Sequence, residues 1–312
     1  MARNPGELID LDAVASAFEP ADGLPRPRWD VIQSWIDRHV AAARRESAWC
    51  EAGYQWLEKL CEHLGGRYFI NSSANFALLT PQLKDEADKL LRLAEAARTK
   101  IRELLGAAEG APATSKRFIL VFEDVDIYYT YISHFYPDGE YGASAGVYLP
   151  DEYPHIALPR STVGNLTIAL THELVHANLD SLEVPQWIEE GIAQVVEQIV
   201  MGRDWFRVDH ERANRHQRYW QRHGLQSFWC GEAFSRRDEG QELSYDLAQI
   251  LVRNLLSDAE GRFVEFLKLA ERADYGEAAA RQCFGEKLAQ RARGFLGEGD
   301  WAPRPPNTRQ IE

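Results

Sequence analysis

One stretch leaves this chain little conformational choice. Leu166-Thr-Ile-Ala-Leu-Thr-His-Glu-Leu-Val-His-Ala-Asn-Leu179 is apolar on nearly every side of a 3.6-residue helix. Ile168, Ala169, Val175 and Leu179 lie near one face, and Leu166, Leu170, Leu174 and Ala177 cover the opposite one. Such a helix is expected in the interior, yet it carries His172, Glu173 and His176. Burying two imidazoles and a carboxylate is costly unless something satisfies them. Either they hydrogen-bond within the core, or they share a divalent metal.

The spacing favours the metal. In H-E-x-x-H the histidines stand four residues apart on one helix face, so both can reach one ion. Glu173, about 100° round the helix, is better placed to reach a water at that ion than to share the ligand position. A second helix is predicted from Pro185, which suits a helix start, and it brings Glu189 and Glu190 within fourteen residues of His176. A turn at 179–185 would fold it back beside the first, so that one of these carboxylates supplies a third ligand. Two histidines and a glutamate with an open fourth position form a catalytic zinc shell, whereas structural zinc is closed by four protein ligands, usually with cysteines.

The chain has 312 residues, with 35 Lys and Arg against 48 Asp and Glu, a net charge of −13. That balance disfavours nucleic acid and anionic membranes as partners. No window approaches a membrane span, and the N-terminus, with Glu7 and Asp10, has no signal-peptide pattern. Cys50, Cys61, Cys230 and Cys283 are widely spaced, which fits neither a thiolate cage nor a disulfide framework. A cytoplasmic protein with reduced thiols is expected.

Hydrophobic periodicity predicts a largely helical region over residues 1–64, a short strand at 67–71 and a long helix from about 81 to 105. Residues 106–115 read as a linker. A buried strand is expected at 117–122, a short aromatic helix at 124–135, and a hairpin or two edge strands at 145–149 and 155–158. Helices follow at 161–179, 185–201 and 204–222, and again from 244 to 296, before a proline-rich frayed tail. The Arg-rich stretch 203–223, interleaved with Asp204, Asp209 and Glu211, is expected to be a solvated helix rather than a nucleic-acid contact.

His-Glu-Leu-Val-His at 172–176, paired with Pro-Gln-Trp-Ile-Glu-Glu-Gly-Ile-Ala at 185–193, resembles the gluzincin zinc metallopeptidases, particularly the peptidase MA group. The likeness covers roughly residues 112–290 and is most specific over 171–194. It implies an α+β, mostly helical fold: a zincin-like, thermolysin-like catalytic lobe with a small mixed sheet and an active-site helix, then an all-helical C-terminal lobe. The corresponding organisation is an N-terminal helical region at 1–110, the catalytic lobe at 111–202, the helical lobe at 203–298 and a flexible tail at 299–312.

The resemblance implies Zn2+ held by His172, His176 and Glu190, since the family's third ligand is the glutamate directly before the glycine. Simple periodicity instead puts Glu189 nearer the apolar stripe. Glu173 is implied as the general base of peptide-bond hydrolysis, and Tyr245, or failing it His210 or His223, as the oxyanion donor. The substrate implied is a peptide or protein, with the extended pieces 145–149 and 155–158 in the place of the family's edge strand, which an extended peptide can pair with. One departure is Gln194, where many relatives carry an acidic residue that orients a zinc histidine; Glu197, a turn on, is the substitute. Two rival readings remain: a metallopeptidase-like zinc or peptide-binding scaffold with weak or no turnover in a cytoplasmic assembly, and cleavage of a non-peptide amide.

Overall fold

The computed structural model describes residues 8–21, 23–106, 116–136, 145–202, 208–258 and 260–304. The chain is α+β, dominated by helix around one small mixed sheet. It divides into two compact units, residues 1–98 with 111–177 and residues 99–110 with 178–312. Among the described residues no helix is long and apolar enough to cross a membrane.

The first unit opens with a hairpin of β1 (Phe18–Ala21) and β2 (Leu24–Pro27), followed by helices α1 (Trp29–His39) and α2 (Arg45–Leu64). The hairpin is an element that the expected largely helical start did not include. Gly23, at φ 82°, supplies the left-handed turn residue that joins the two short strands. Next come β3 (Phe69–Ser72), β4 (Phe76–Thr80), α3 (Lys84–Leu105), β5 (Arg117–Phe122), α4 (Val125–Ser133), β6 (Val147–Leu149), β7 (His155–Pro159) and α5 (Val163–Leu179). Strand order is β3-β4-β5-β7-β6, with β4, β5 and β7 parallel and both outer pairs antiparallel.

The parallel strands are apolar because both faces are covered: every residue of β4, and Phe118 through Phe122 of β5, is buried. Tyr153, in the turn joining β6 and β7, is fully buried among tryptophans from the helical start. Its ring lies 4.5 Å from that of Trp29, 5.4 Å from Trp49 and 6.1 Å from Trp56. Aromatic pairs of this kind add roughly 0.5–1.5 kcal/mol each beyond area burial. The N-terminal residues therefore belong to the same core as the sheet's outer strand β6. Gly53 of α2 is part of that fit, because a Cβ there would lie 2.4 Å from the Phe118 ring.

The second unit contains α6 (Gln186–Val200), α7 (His210–His223), α8 (Gln226–Trp229), α9 (Glu239–Asp258), α10 (Glu260–Leu269), α11 (Glu277–Phe284) and α12 (Leu288–Leu296). Helices α6 and α9 run in close apposition. Gly191 makes this possible: a Cβ at that position would stand 2.5 Å from both the Ala248 carbonyl oxygen and Val252 Cγ2. Trp187, wholly buried, donates its Nε1–H to the Tyr275 carbonyl at 3.1 Å and packs edge-on against Trp229. Residues 301–304, expected within the frayed tail, are held. Trp301 is buried, its carbonyl accepts the Trp229 Nε1–H at 2.9 Å, and the Arg304 N–H donates to Gln226.

Candidate metal centre

Helix α5 is buried almost all round over its last fourteen residues, and the exception is informative. From Leu166 to Leu179 the positions that are only partly buried are Ile168, His172 and His176. They form one i, i+4 row, so the helix is closed on every side except along the line of its imidazoles. The two rings stand 4.8 Å apart between centroids.

Glu190, from the first turns of α6, completes a group with them. The ligand atoms of His172, His176 and Glu190 all lie within 4.8 Å of one another, and Glu190 is 6% exposed. Donors around a tetrahedral zinc at about 2.0–2.1 Å sit roughly 3.4 Å apart. Modest rotations of the imidazoles and the carboxylate span that difference. Two neutral nitrogens and one carboxylate oxygen suit a borderline divalent ion such as Zn2+, and three protein donors leave a coordination position open. The residues present therefore fit the group that the sequence implied.

The neighbouring carboxylate is engaged elsewhere. Glu189 Oε1 lies 3.0 Å from Arg272 Nη2, while Arg272 Nε donates to the Val184 carbonyl. Successive helical residues diverge by about 100°, so one glutamate meets the arginine and the next joins the histidines.

Glu173 is 9% exposed and sits one residue from His172. Its Oε2 accepts the main-chain N–H of Tyr148 at 2.7 Å. Tyr148 lies in β6, the last strand of the sheet, opposite Ile156 of β7. Because that N–H points to Glu173, it faces away from β7, on the outer edge of the strand. Gly146 keeps the approach clear, since a Cβ there would fall 2.4 Å from Leu158 and 3.4 Å from Glu173 Cγ. This hydrogen bond fixes the orientation of the Glu173 carboxylate.

Tyr136, just beyond α4, also senses Glu173. Burial pushes its phenol above the ordinary tyrosine value, and the Glu173 charge adds to that rise. Sequence reading missed this neighbour, because nothing in the spacing ties the end of the 124–135 helix to residue 173.

The other candidates are placed as follows. Tyr245, in α9, packs edge-on against Phe234 with ring centroids 5.2 Å apart. His223 stacks on Tyr219 at 4.4 Å, and His210 is the first residue of α7. The main-chain oxygen of Gln194 accepts from Gln249 Nε2 at 3.1 Å. In the Arg-rich helix, Arg212 pairs with Asp246, and Arg215 with Glu239 and Glu242. Residues 203–207 of that stretch lie outside the described residues. The chain matches no protein-family model and no curated protein.

Proposed function

We propose that this chain is a zinc-dependent metallopeptidase of the gluzincin type, built on a zincin-like catalytic lobe. The observation that carries the reading is the shared geometry of one helix and its surroundings. His172 and His176 form the open row of α5 with Glu190 at hand, while Glu173, on the same helix, is anchored to the outer edge of β6.

His172, His176 and Glu190 would hold the ion. A zinc ion bound there would polarise the scissile carbonyl and make water acidic enough to be deprotonated near neutral pH. Glu173 then takes the proton of the attacking water on its carboxylate and delivers it to the departing amine. The Tyr148 amide keeps that carboxylate oriented. An extended peptide pairing with the outer edge of β6 runs its backbone past the same carboxylate, which is the position a general base needs. Tyr245 is assigned to the oxyanion, with its hydroxyl donating to the developing charge.

A protein substrate is consistent with the acidic surface, which offers no general attraction to nucleic acid. Cys50, Cys61, Cys230 and Cys283 are all free thiols, in keeping with a cytoplasmic setting.

The test is Glu173→Gln. The amide keeps the shape and accepts the same Tyr148 N–H but cannot take a proton. The variant is expected to retain about one zinc per chain and to lose hydrolysis of an unstructured peptide by ~10²-fold or more. Full activity in the variant would sink the reading. Wild-type protein that holds zinc yet cleaves nothing would favour a peptide-binding scaffold.

A further inference from the structure

The sheet ends on β6 at one side, beside Glu173, and on β3 at the other. At the β3 end the hydrogen-bond pattern leaves a gap. The Ser73 N–H donates to the Phe76 carbonyl at 2.9 Å, and the pairing runs on unbroken from Ser72 opposite Ala77 to Phe69 opposite Thr80. Bonded and non-bonded pairs alternate along an antiparallel ladder, so Phe69 and Asn71 bond to β4 while the main-chain groups of Tyr68, Ile70 and Ser72 point outward. Most of these outward groups are met by the chain itself. The Tyr68 carbonyl accepts from Cys61 Sγ at 3.2 Å, the Tyr68 N–H donates to the Gly65 carbonyl at 3.0 Å, and the Ser72 N–H donates to Asn71 Oδ1 at 3.0 Å. Between them, the N–H and carbonyl of Ile70 have no partner among the described residues.

Beside that gap lies an open groove of about 450 Å³, framed by the last turns of α2 and the start of β3 and lined by Glu58, Glu62, Phe69 and Ile70. Helix α2 runs antiparallel to the edge, since Tyr54 Oη meets Ser72 at 3.2 Å and Cys61 meets Tyr68. Gly65 and Gly66 keep one end of the groove clear, because a Cβ at either would meet no atom within 4 Å. Glu58 and Glu62 stand one helical turn apart, both are exposed, and neither forms an ion pair among the described residues. The lining contains no cation. Exposed edges are usually blunted by lysine, proline or a bulge, and Phe69-Ile-Asn-Ser72, in unbroken register with β4, has none of these.

We propose that this edge docks an extended segment of a partner protein that carries lysine or arginine at alternate positions. One residue of the segment exchanges both main-chain bonds with Ile70 and so adds a strand outside β3. Alternate strand residues are about 6.8 Å apart and one helical turn is about 5.4 Å, so two basic side chains on one face of the segment can each reach a glutamate of α2. Charge decides the occupant. An acidic segment would meet two uncompensated carboxylates on a chain of net charge −13, and a second copy of this chain would bring the same two carboxylates to the contact. The surface lies at the opposite end of the strand order from β6 and does not depend on the metal group.

The test uses the full chain carrying Glu173→Gln, so that no probe is consumed, with its isoleucine amides isotopically labelled for NMR. Ile70→Val identifies the Ile70 signal. The probe is the capped peptide Thr-Val-Lys-Val-Lys-Val-Thr, and its counterpart has glutamate in place of both lysines. The lysine peptide is expected to shift the Ile70 amide signal saturably and to bind at least about tenfold more tightly than the glutamate peptide, as two charge pairs change from attraction to repulsion. Glu58→Lys with Glu62→Lys, both at exposed positions, should reverse that preference. Ile70→Pro removes the outward N–H without touching the bonds to β4 and should weaken the lysine peptide about tenfold. The proposal is overturned if the Ile70 signal does not move or if the glutamate peptide binds equally well. It is also overturned if Ile70→Pro, folded by circular dichroism, binds undiminished, which would mean general attraction to an acidic chain, or if raising the protein concentration alone shifts the signal, which would make a second copy the occupant.

Discussion

The main-chain N–H of Tyr148 donates to Glu173 Oε2 at 2.7 Å, so the outermost strand of the sheet holds the carboxylate that the H-E-x-x-H helix carries between its two histidines. Side-chain substitution leaves this amide intact, but proline removes it. Because the N–H faces away from β7, proline is compatible with the strand pairing there. Tyr148→Pro should reduce kcat/KM about tenfold, since the carboxylate loses the hydrogen bond that orients it. Tyr148→Ala, which keeps the N–H, should retain most of the activity. The two values of kcat/KM, measured side by side, check the role of the amide.

The divergence of two adjacent glutamates gives a second expectation. Glu190→Ala should lower zinc affinity by at least ~10-fold, and by far more if the full ligand bond is lost, as measured by competition with a chelator. Glu189→Ala removes the contact with the largely exposed Arg272, a pair worth about 0–1 kcal/mol, and should leave zinc affinity unchanged. Equal losses in both variants would contradict the assignment.

Gly191→Ala should destabilise the second unit. The added methyl meets a main-chain oxygen of α9 at 2.5 Å, and backbone cannot step aside as a flexible side chain does. Overpacking of this kind typically costs about 1–3 kcal/mol, readable as a lower urea midpoint with an unchanged slope. The glycine that follows Glu190 in the sequence is thus explained by helix packing, one residue away from the candidate ligand.

Acid sensitivity should trace to His155. Burial lowers its folded value from the ordinary 6.5 to about 4, so the unfolded chain binds the proton more readily. The stabilisation is therefore fully present above pH 6.5 and is lost progressively as the pH falls toward 4. Over that interval it amounts to roughly 3 kcal/mol. Replacing both partners of the hydrogen bond between His155 Nε2 and the Tyr131 hydroxyl, His155→Phe with Tyr131→Phe, leaves no donor unsatisfied and should flatten this part of the stability curve. Urea unfolding at pH 7 and pH 5 measures the difference directly.

The helices bearing the candidate site were legible in the sequence because their signals are local. The i, i+4 histidines, the proline before α6 and the all-round apolarity of α5 each need only a few neighbouring residues to be read. Strand β4 was not legible. Phe76-Ala-Leu-Leu-Thr80 is buried on both faces, so it lacks the alternation that marks a half-exposed strand, and Pro81 after it suggested a helix start. The hairpin at 18–27 was hidden among helix-like spacing, because two four-residue strands carry too few residues to show a period. Trp301 looked like part of a loose tail since its partner Trp229 is 72 residues away. The hold of Tyr148 on Glu173 depends on which edge of β6 faces outward, and register of that sort is a property of the assembled sheet.

Zinc-dependent cleavage is the central claim, and one measurement meets it most directly: wild-type protein, freed of metal with a chelator and then titrated with Zn2+, assayed on a broad library of unstructured peptides. Cleavage is expected to rise in step with zinc and to saturate at about one ion per chain. Saturable zinc binding at that ratio with no peptide cleaved, or cleavage that persists after the metal is removed, would contradict it.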